Sequence, residues 1–177
     1  MSTLVKNIIR FVLFILVQYY VLDQVLLHQL ATPYIYFLFI IWMPFNIGRK
    51  WQMFLAFLLG FTLDSFRHQP GFHAAACVLI AYLRPLLVKL LIPQEGADAN
   101  YEEPSPQSLG GFVRYFLFVT ILTVAHHAWL FLLEAWQFGN IWYFLIKTIL
   151  STAISLLIIL VTELLFVRKQ KFKTNTV

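Results

Sequence analysis

The sequence predicts an all-α, polytopic membrane protein: a bundle of six transmembrane helices with both chain ends in the cytoplasm. Of the 177 residues, 60% are hydrophobic and only 12% are charged, whereas soluble domains carry roughly 25% charged residues. The apolar residues form long runs, and the basic residues cluster at the edges of these runs. A chain of this length cannot bury so much apolar surface in water, so we expect lipid to surround it.

The apolar runs have about the length of helical membrane spans, which need about 20 residues. The runs are continuous and do not alternate with polar residues, which favours helices over a barrel. The first run has no small-residue cleavage site after it and is predicted as a span, not a signal peptide. The predicted spans, within one integral membrane domain 1–177, are residues 8–27, 33–47, 51–66, 72–92, 111–136 and 141–167.

The distribution of lysine and arginine predicts the orientation. With the N-terminus in the cytoplasm, only Arg67 and Lys147 of the 13 basic residues fall towards the outside, which agrees with the positive-inside rule. The basic tail 168–177 is expected to rest on anionic lipid headgroups. The net charge of +5 therefore indicates membrane topology, and no nucleic-acid partner is predicted.

Residues 93–110 form the longest polar linker. They include four acidic residues, three prolines and no basic residue. Such a segment is too polar to order itself, which predicts a flexible, solvated cytoplasmic loop. A docking site that folds on contact with a partner is the alternative.

Several ionisable residues interrupt the apolar runs. Asp23 and Glu163 lie near predicted span ends, where side chains reach towards the interface. Arg84, followed by Pro85, is interpreted in the same way, as the point where the fourth span meets the cytoplasmic interface. Residues 85–92 are then expected to lie along the headgroups.

The third and fourth spans predict a tight helical hairpin. Small and polar residues of the third span recur at four-residue spacing: Gln52, Ala56, Gly60 and Asp64. The pattern Ala56-xxx-Gly60 lets two helix backbones approach closely, and the fourth span begins with Gly71 and a run of alanines. We expect Asp64 to accept hydrogen bonds from the turn backbone or to pair with Arg67 or His68. A proton- or ligand-binding role and catalysis are the alternatives.

The fifth and sixth spans each carry a stripe of small or polar residues. The stripes are Thr120, Thr123, His127 and Glu134, and Thr148, Ser151, Ser155 and Thr162. Facing stripes of this kind predict helix packing with interhelical hydrogen bonds, each worth about 0.6 kcal/mol. Lys147 is expected to meet Glu134 because the connection between the two helices is short.

No feature of the sequence predicts an enzyme, a metal site or a cofactor. The motifs HExxH and GxSxG and the Walker loop do not occur. Adjacent residues His126 and His127 project about 100° apart on a helix and cannot share one metal ion. The lone cysteine, Cys77, cannot form an internal disulfide.

The hairpin sequence resembles the rod shape-determining MreD family, in the version of Bacteroidetes-type bacteria. The resemblance lies in FLLGFTLD (57–64), in PGFHA (70–74) and in IAYLRP (80–85). It covers about 30 residues, supported by similar length, span number and basic tail. The positions that match the family motif, or that we expect to contact a partner, are Gly60, Asp64, Gly71, Ala74, Tyr82 and Arg84.

The resemblance implies a non-enzymatic subunit of the bacterial cell-elongation complex, in the inner membrane. Family members bind MreC directly, and through the complex they connect MreB with RodA and the elongation transpeptidase in peptidoglycan synthesis and cell shape. The family is also similar in fold to the substrate-binding subunits of energy-coupling-factor transporters. A small-molecule-binding subunit of a transporter is the alternative; it requires a cavity of roughly 300 Å³ or more with convergent polar groups.

Overall fold

The computed structural model describes residues 3–24, 31–91, 101–135 and 141–165. The ordered elements of these ranges are helical. They are α1 (Thr3–Val17) with a π-helical continuation (Gln18–Leu22), α2 (Leu38–Ile41), α3 (Arg49–Arg67), α4 (Phe72–Leu91), α5 (Phe112–Ala135) and α6 (Ile141–Leu165).

Within the part of the chain that the structure describes, four segments are long and apolar enough to cross a membrane. They are Val5–Leu22, Phe72–Leu91, Phe112–Ala135 and Ile141–Leu165. Large apolar side chains cover their outward faces; Leu90 and Leu164, for example, are 76% and 67% exposed. The chain is therefore an α-helical, multi-pass membrane protein. Helix α3 coincides with the predicted third span but is less apolar, because it carries the buried polar residues Gln52 and Asp64.

The predicted helix over residues 33–47 is wrong. Its only regular element is the four-residue helix α2, although residues 33–44 are all buried. We call residues 31–47 the central segment, because the longer helices pack around it. Pro44 lacks the backbone donor that a continuous helix would need at its position. An apolar run of this length shows that a segment is buried, but it does not distinguish a helix from irregular backbone.

Irregular backbone is tolerated at membrane depth only where protein groups satisfy its hydrogen bonds. Gln18, in the π-helical turn, supplies both kinds of bond. Its side chain accepts from the backbone N–H of Ile35 (3.0 Å) and donates to the carbonyl of Pro33 (3.1 Å). A π-turn often marks such a specialised position within a helix.

Two serines of α6 satisfy further donors of the central segment. Ser151 Oγ accepts from the backbone N–H of Thr32, and Ser155 Oγ accepts from that of Tyr34, both at 2.9 Å. Ser155 also bonds His127 Nε2 at 3.1 Å, so the predicted hydrogen bond between the fifth and sixth spans is confirmed there. Thr123 instead donates to its own helix, at the Val119 carbonyl.

Arg84 binds the other end of the central segment, so the prediction that its side chain reaches towards the interface is wrong. The side chain is 1% exposed. Its guanidinium donates to the carbonyls of Ile41 and Met43 and to Gln52 Oε1. The Ile41 and Met43 carbonyls lie at and beyond the end of α2, where no helical N–H group bonds them. The Arg84 guanidinium is buried because it supplies these missing donors. Helix α4 continues through Pro85 as far as Leu91.

Asp23 and Glu163 also turn inward, contrary to the interfacial positions predicted for them. Asp23 accepts a hydrogen bond from Gln18 Nε2 (2.8 Å) and lies 3.4 Å from Arg67 Nε. Burial raises the pKa of the Asp23 carboxyl, while the Gln18 hydrogen bond and the Arg67 charge act in the opposite direction. Glu163 accepts hydrogen bonds from Trp42 Nε1 and from the Tyr115 hydroxyl. Each carboxylate thus obtains protein donors that compensate for lost water.

The predicted flexible linker is ordered over residues 101–110, and residues 92–100 lie outside the described residues. Glu103 is 4% exposed and accepts from Lys6 Nζ (2.8 Å) and Arg10 Nη1 (2.9 Å) of α1. Ser105 and Leu109 are also buried. The expectation of a solvated loop is therefore wrong for this part. It failed because the two cations that satisfy Glu103 lie more than ninety residues earlier in the chain.

The contacts separate two ends of the bundle. One, which we call the basic end, carries Lys6, Arg10, Arg49, Arg84, Lys89 and Arg114. The opposite end carries the ion pairs Asp23–Arg67 and Glu134–Lys147. Lys147 Nζ lies 2.5 Å from Glu134 Oε2, so this predicted pair is confirmed.

Candidate functional site

The motif residues lie where α3 and α4 pack against each other as a helical hairpin. A Cβ atom added to Gly60 would lie 2.5 Å from the backbone N and Cα of Ala74 and 2.6 Å from the backbone carbon of His73. The two backbones therefore touch at this point, as the small-residue pattern predicts. Ala56 of α3 and Ala81 of α4 are fully buried.

Asp64 holds the start of α4. Its two carboxylate oxygens accept from the backbone N–H groups of His73 (3.0 Å) and Ala74 (2.9 Å), and the side chain is 2% exposed. A carboxylate at this position satisfies helix donors that have no partner within the helix. The predicted bonding to the turn backbone is confirmed. Arg67 pairs with Asp23 rather than with Asp64.

The turn between the helices uses two residues with positive φ. His68 ends α3 in the left-handed conformation (φ 53°), with its N–H bonded to the Asp64 carbonyl. Gly71 has φ 92°, a conformation that glycine adopts without a steric penalty. Between Gly60 and Gly71 the motif thus provides a close helix contact, a helix cap and a tight turn.

A buried chain of polar side chains runs from this turn into the bundle, and no pattern in the sequence predicts it. Arg67 donates to the Tyr34 hydroxyl (3.1 Å) and to His73 Nε2 (2.8 Å). His73 Nδ1 bonds the Tyr36 hydroxyl (2.8 Å), which bonds His126 Nε2 (2.7 Å).

The direction of these hydrogen bonds follows from the arginine. Arginine has no acceptor, so His73 Nε2 accepts and its Nδ1 carries the proton. Tyr36 then receives a hydrogen bond from His73 and donates its own proton to His126. The chain is fully directed. It fixes Tyr34 of the central segment to α3 and Tyr36 to α4 and α5. Within the described ranges, no three His, Cys, Asp or Glu side chains are placed to hold a metal ion.

An apolar groove opens beside the hairpin on the outer surface of the bundle. Its volume is about 930 Å³. Small residues form one side, namely Gly71, Ala74 and Ala75, and large side chains flank them, among them Phe57, Phe61, Tyr82 and Trp129. These four are 40–52% exposed, so the groove faces the surrounding lipid.

The structure divides the motif residues between three places. Gly60, Asp64 and Ala74 lie in the contact between α3 and α4. Gly71 and Tyr82 border the groove, and the Arg49 guanidinium lies over the Tyr82 ring at 3.9 Å. Arg84 lies on the inner face of α4 against the central segment. Of these groups, Gly71 and Tyr82 offer the surface for a partner helix in the groove, whereas the buried Gly60 and Asp64 fix the helices that form it.

Comparisons with known proteins add no relative. No family model, no curated protein and no solved structure matches the chain. Any function must therefore be argued from the motif residues and from the geometry around them.

Proposed function

We propose that the chain is a non-enzymatic membrane subunit of a bacterial cell-elongation complex, similar to MreD. In this proposal it lies in the inner membrane and receives the transmembrane helix of an MreC-like partner. Through that partner it would connect RodA, the elongation transpeptidase and MreB. The observation that supports the proposal is the groove beside the hairpin, because it combines a lipid-facing opening with a floor of small residues.

The groove has the features that helix association in lipid requires. Lipid tails are as apolar as the helices, so association depends on close packing and not on the hydrophobic effect. Gly71, Ala74 and Ala75 would let a partner backbone approach, and Phe57 and Phe61 would pack on its sides. The Gly60 contact and the Asp64 cap fix the two helices that form the groove, so little ordering would be needed on binding.

The proposed topology has six crossings, with both ends in the cytoplasm. Among the described residues, four helices have the length and composition of spans. The central segment and α3 would provide the two further crossings, as the second and third along the chain. The central segment meets Ser151 and Gln18 at its start and Arg84 at its end, which are groups of opposite ends of the bundle. The basic end would then face the cytoplasm. The similarity to energy-coupling-factor subunits is part of the same proposal.

A transporter subunit is the weaker alternative. It requires a cavity of roughly 300 Å³ or more with convergent polar groups. Aromatic side chains occupy the middle of this bundle, and the pocket of about 290 Å³ that has polar lining residues lies at the basic end, away from this middle. Tyr34, Tyr36 and Phe37 are at most 1% exposed, and both tyrosine hydroxyls are bonded to protein groups. These contacts favour a packed scaffold over a carrier.

The proposal is tested by co-purification of a tagged MreC-like partner from the same bacterium. The groove variant Phe57→Ala/Phe61→Ala removes exposed side chains and should leave the fold intact. We expect partner recovery to fall at least tenfold, because large aromatic side chains dominate such contacts. Leu157→Ala on α6, an exposed side chain outside the groove (63%), is the matched control and should retain full recovery. Equal recovery from both variants would contradict binding in the groove.

A further inference from the structure

A small pocket lies at the basic end of the bundle, where α4 meets the central segment and residues 101–110. Its volume is about 290 Å³. Apolar side chains such as Phe45 and Val88 form much of its lining, and the polar groups that reach it belong to Gln52, Arg84, Lys89, Tyr101 and Ser108. It lies nearer the C-terminal end of α4 than the hairpin groove does and shares no lining residue with it.

Arg84 brings a buried positive charge to this pocket. Its three protein partners, at Ile41, Met43 and Gln52, are neutral oxygens. None of the ion pairs among the described residues includes Arg84. Glu103, the buried carboxylate at this end, forms its ion pairs with two cations of α1, and its charge acts on Arg84 only from a greater distance. Because a guanidinium has five N–H groups, Arg84 retains donors for an anion.

Lys89 brings a second positive charge to the same pocket. It lies five residues after Arg84 on α4, is exposed, and forms no ion pair within the described ranges. Leu86 and Leu90 next to it are 61% and 76% exposed and present an apolar surface to the acyl chains. A pocket with two cations therefore borders directly on the lipid-facing surface of α4.

We propose that this pocket binds the phosphate of an anionic phospholipid headgroup. Arg84 donates hydrogen bonds from its guanidinium and Lys89 contributes a point charge, while the acyl chains lie along Leu86 and Leu90. A lipid fits this site better than a free anion does, because the cations adjoin exposed leucines at the level where helix α4 ends. The positive charge of the basic end increases the local concentration of anionic lipid.

The test measures phospholipid binding to the purified full-length protein by native mass spectrometry. We expect phosphatidylglycerol to bind more tightly than phosphatidylcholine. Lys89→Gln should weaken phosphatidylglycerol binding about fivefold, which corresponds to one charge at the headgroup level. Arg114→Gln is the matched control, because Arg114 is an exposed arginine at the same end and does not line the pocket. Because Arg114 contributes only to the overall charge of the basic end, Arg114→Gln should weaken binding by less than about twofold.

Three results would overturn the proposal. Equal weakening by Lys89→Gln and Arg114→Gln would mean that only the overall charge attracts the lipid. Displacement of phosphatidylglycerol by an equal concentration of inorganic phosphate would assign the pocket to a soluble anion. A several-fold gain in lipid binding from Glu95→Gln/Asp98→Asn would mean that these carboxylates, which lie outside the described residues, fill the pocket themselves.

Discussion

Replacement of Gly60 by leucine is expected to prevent the hairpin from closing and to abolish most of the folded protein. Even the first side-chain carbon would lie 2.5 Å from the backbone of Ala74, a distance at which α3 and α4 must move apart. Overpacking in a well-packed core costs about 1–3 kcal/mol, and a clash with backbone atoms cannot be relieved by a change of rotamer. Separation of the helices would also weaken the Asp64 cap on α4. The measurement is the yield of monodisperse protein and its Tm in detergent.

Two further variants make this prediction specific. Gly60→Ala should lower the Tm less than Gly60→Leu does. Adding Ala74→Gly to Gly60→Ala should not restore the Tm, because the clash involves the backbone of residue 74 and not its side chain. Gly48→Ala is the matched control. No atom lies within 4 Å of the position of its added Cβ, so the expected change in stability is within about 0.5 kcal/mol. Rescue by Ala74→Gly would contradict a contact between backbones.

Replacement of Arg84 by methionine is also expected to lower the stability of the protein strongly. Methionine retains much of the side-chain volume but removes the donors bonded to Ile41, Met43 and Gln52. An unsatisfied buried acceptor costs about 1–3 kcal/mol, so the loss should reach about 3 kcal/mol or more. For a chain of this size that corresponds to a fall in Tm of roughly 6–12 °C. Thermal unfolding of the detergent-solubilised protein, followed by circular dichroism, measures it.

The control for Arg84 is Arg114→Met, which removes an exposed arginine at the same end of the bundle. Its Tm should change by about 2 °C or less, because isolated surface side chains contribute little to stability. Similar Tm values for the two variants would mean that Arg84 does not hold the central segment.

The parts of the site that the sequence predicted are those that depend on local spacing. Gly60 and Asp64 are one helical turn apart, and the partners of Asp64 are nine and ten residues away. The Glu134–Lys147 pair spans thirteen residues across a short connection. In each case the two partners lie on helices joined by a short turn, so residue type and periodicity are sufficient to predict the contact.

The central segment could not be predicted in the same way, because its backbone partners are remote. Ser155 lies 121 residues from the N–H of Tyr34, and Arg84 lies 43 residues from the carbonyl of Ile41. Without these partners a buried apolar run can satisfy its backbone only as a helix, which is why residues 33–47 were predicted as one. The pairing of Glu103 with Lys6, 97 residues apart, was missed for the same reason.

Binding of a partner helix beside α3 and α4 is tested most directly by site-specific photo-crosslinking in the native bacterium. A photoreactive amino acid at Phe61, in the groove, is compared with one at Leu157, which is also exposed but lies on α6. The proposed function predicts a crosslink to a single-span MreC-like protein from position 61 and none from position 157. Partner crosslinks from position 157 alone, or none from position 61 in folded protein, would contradict it.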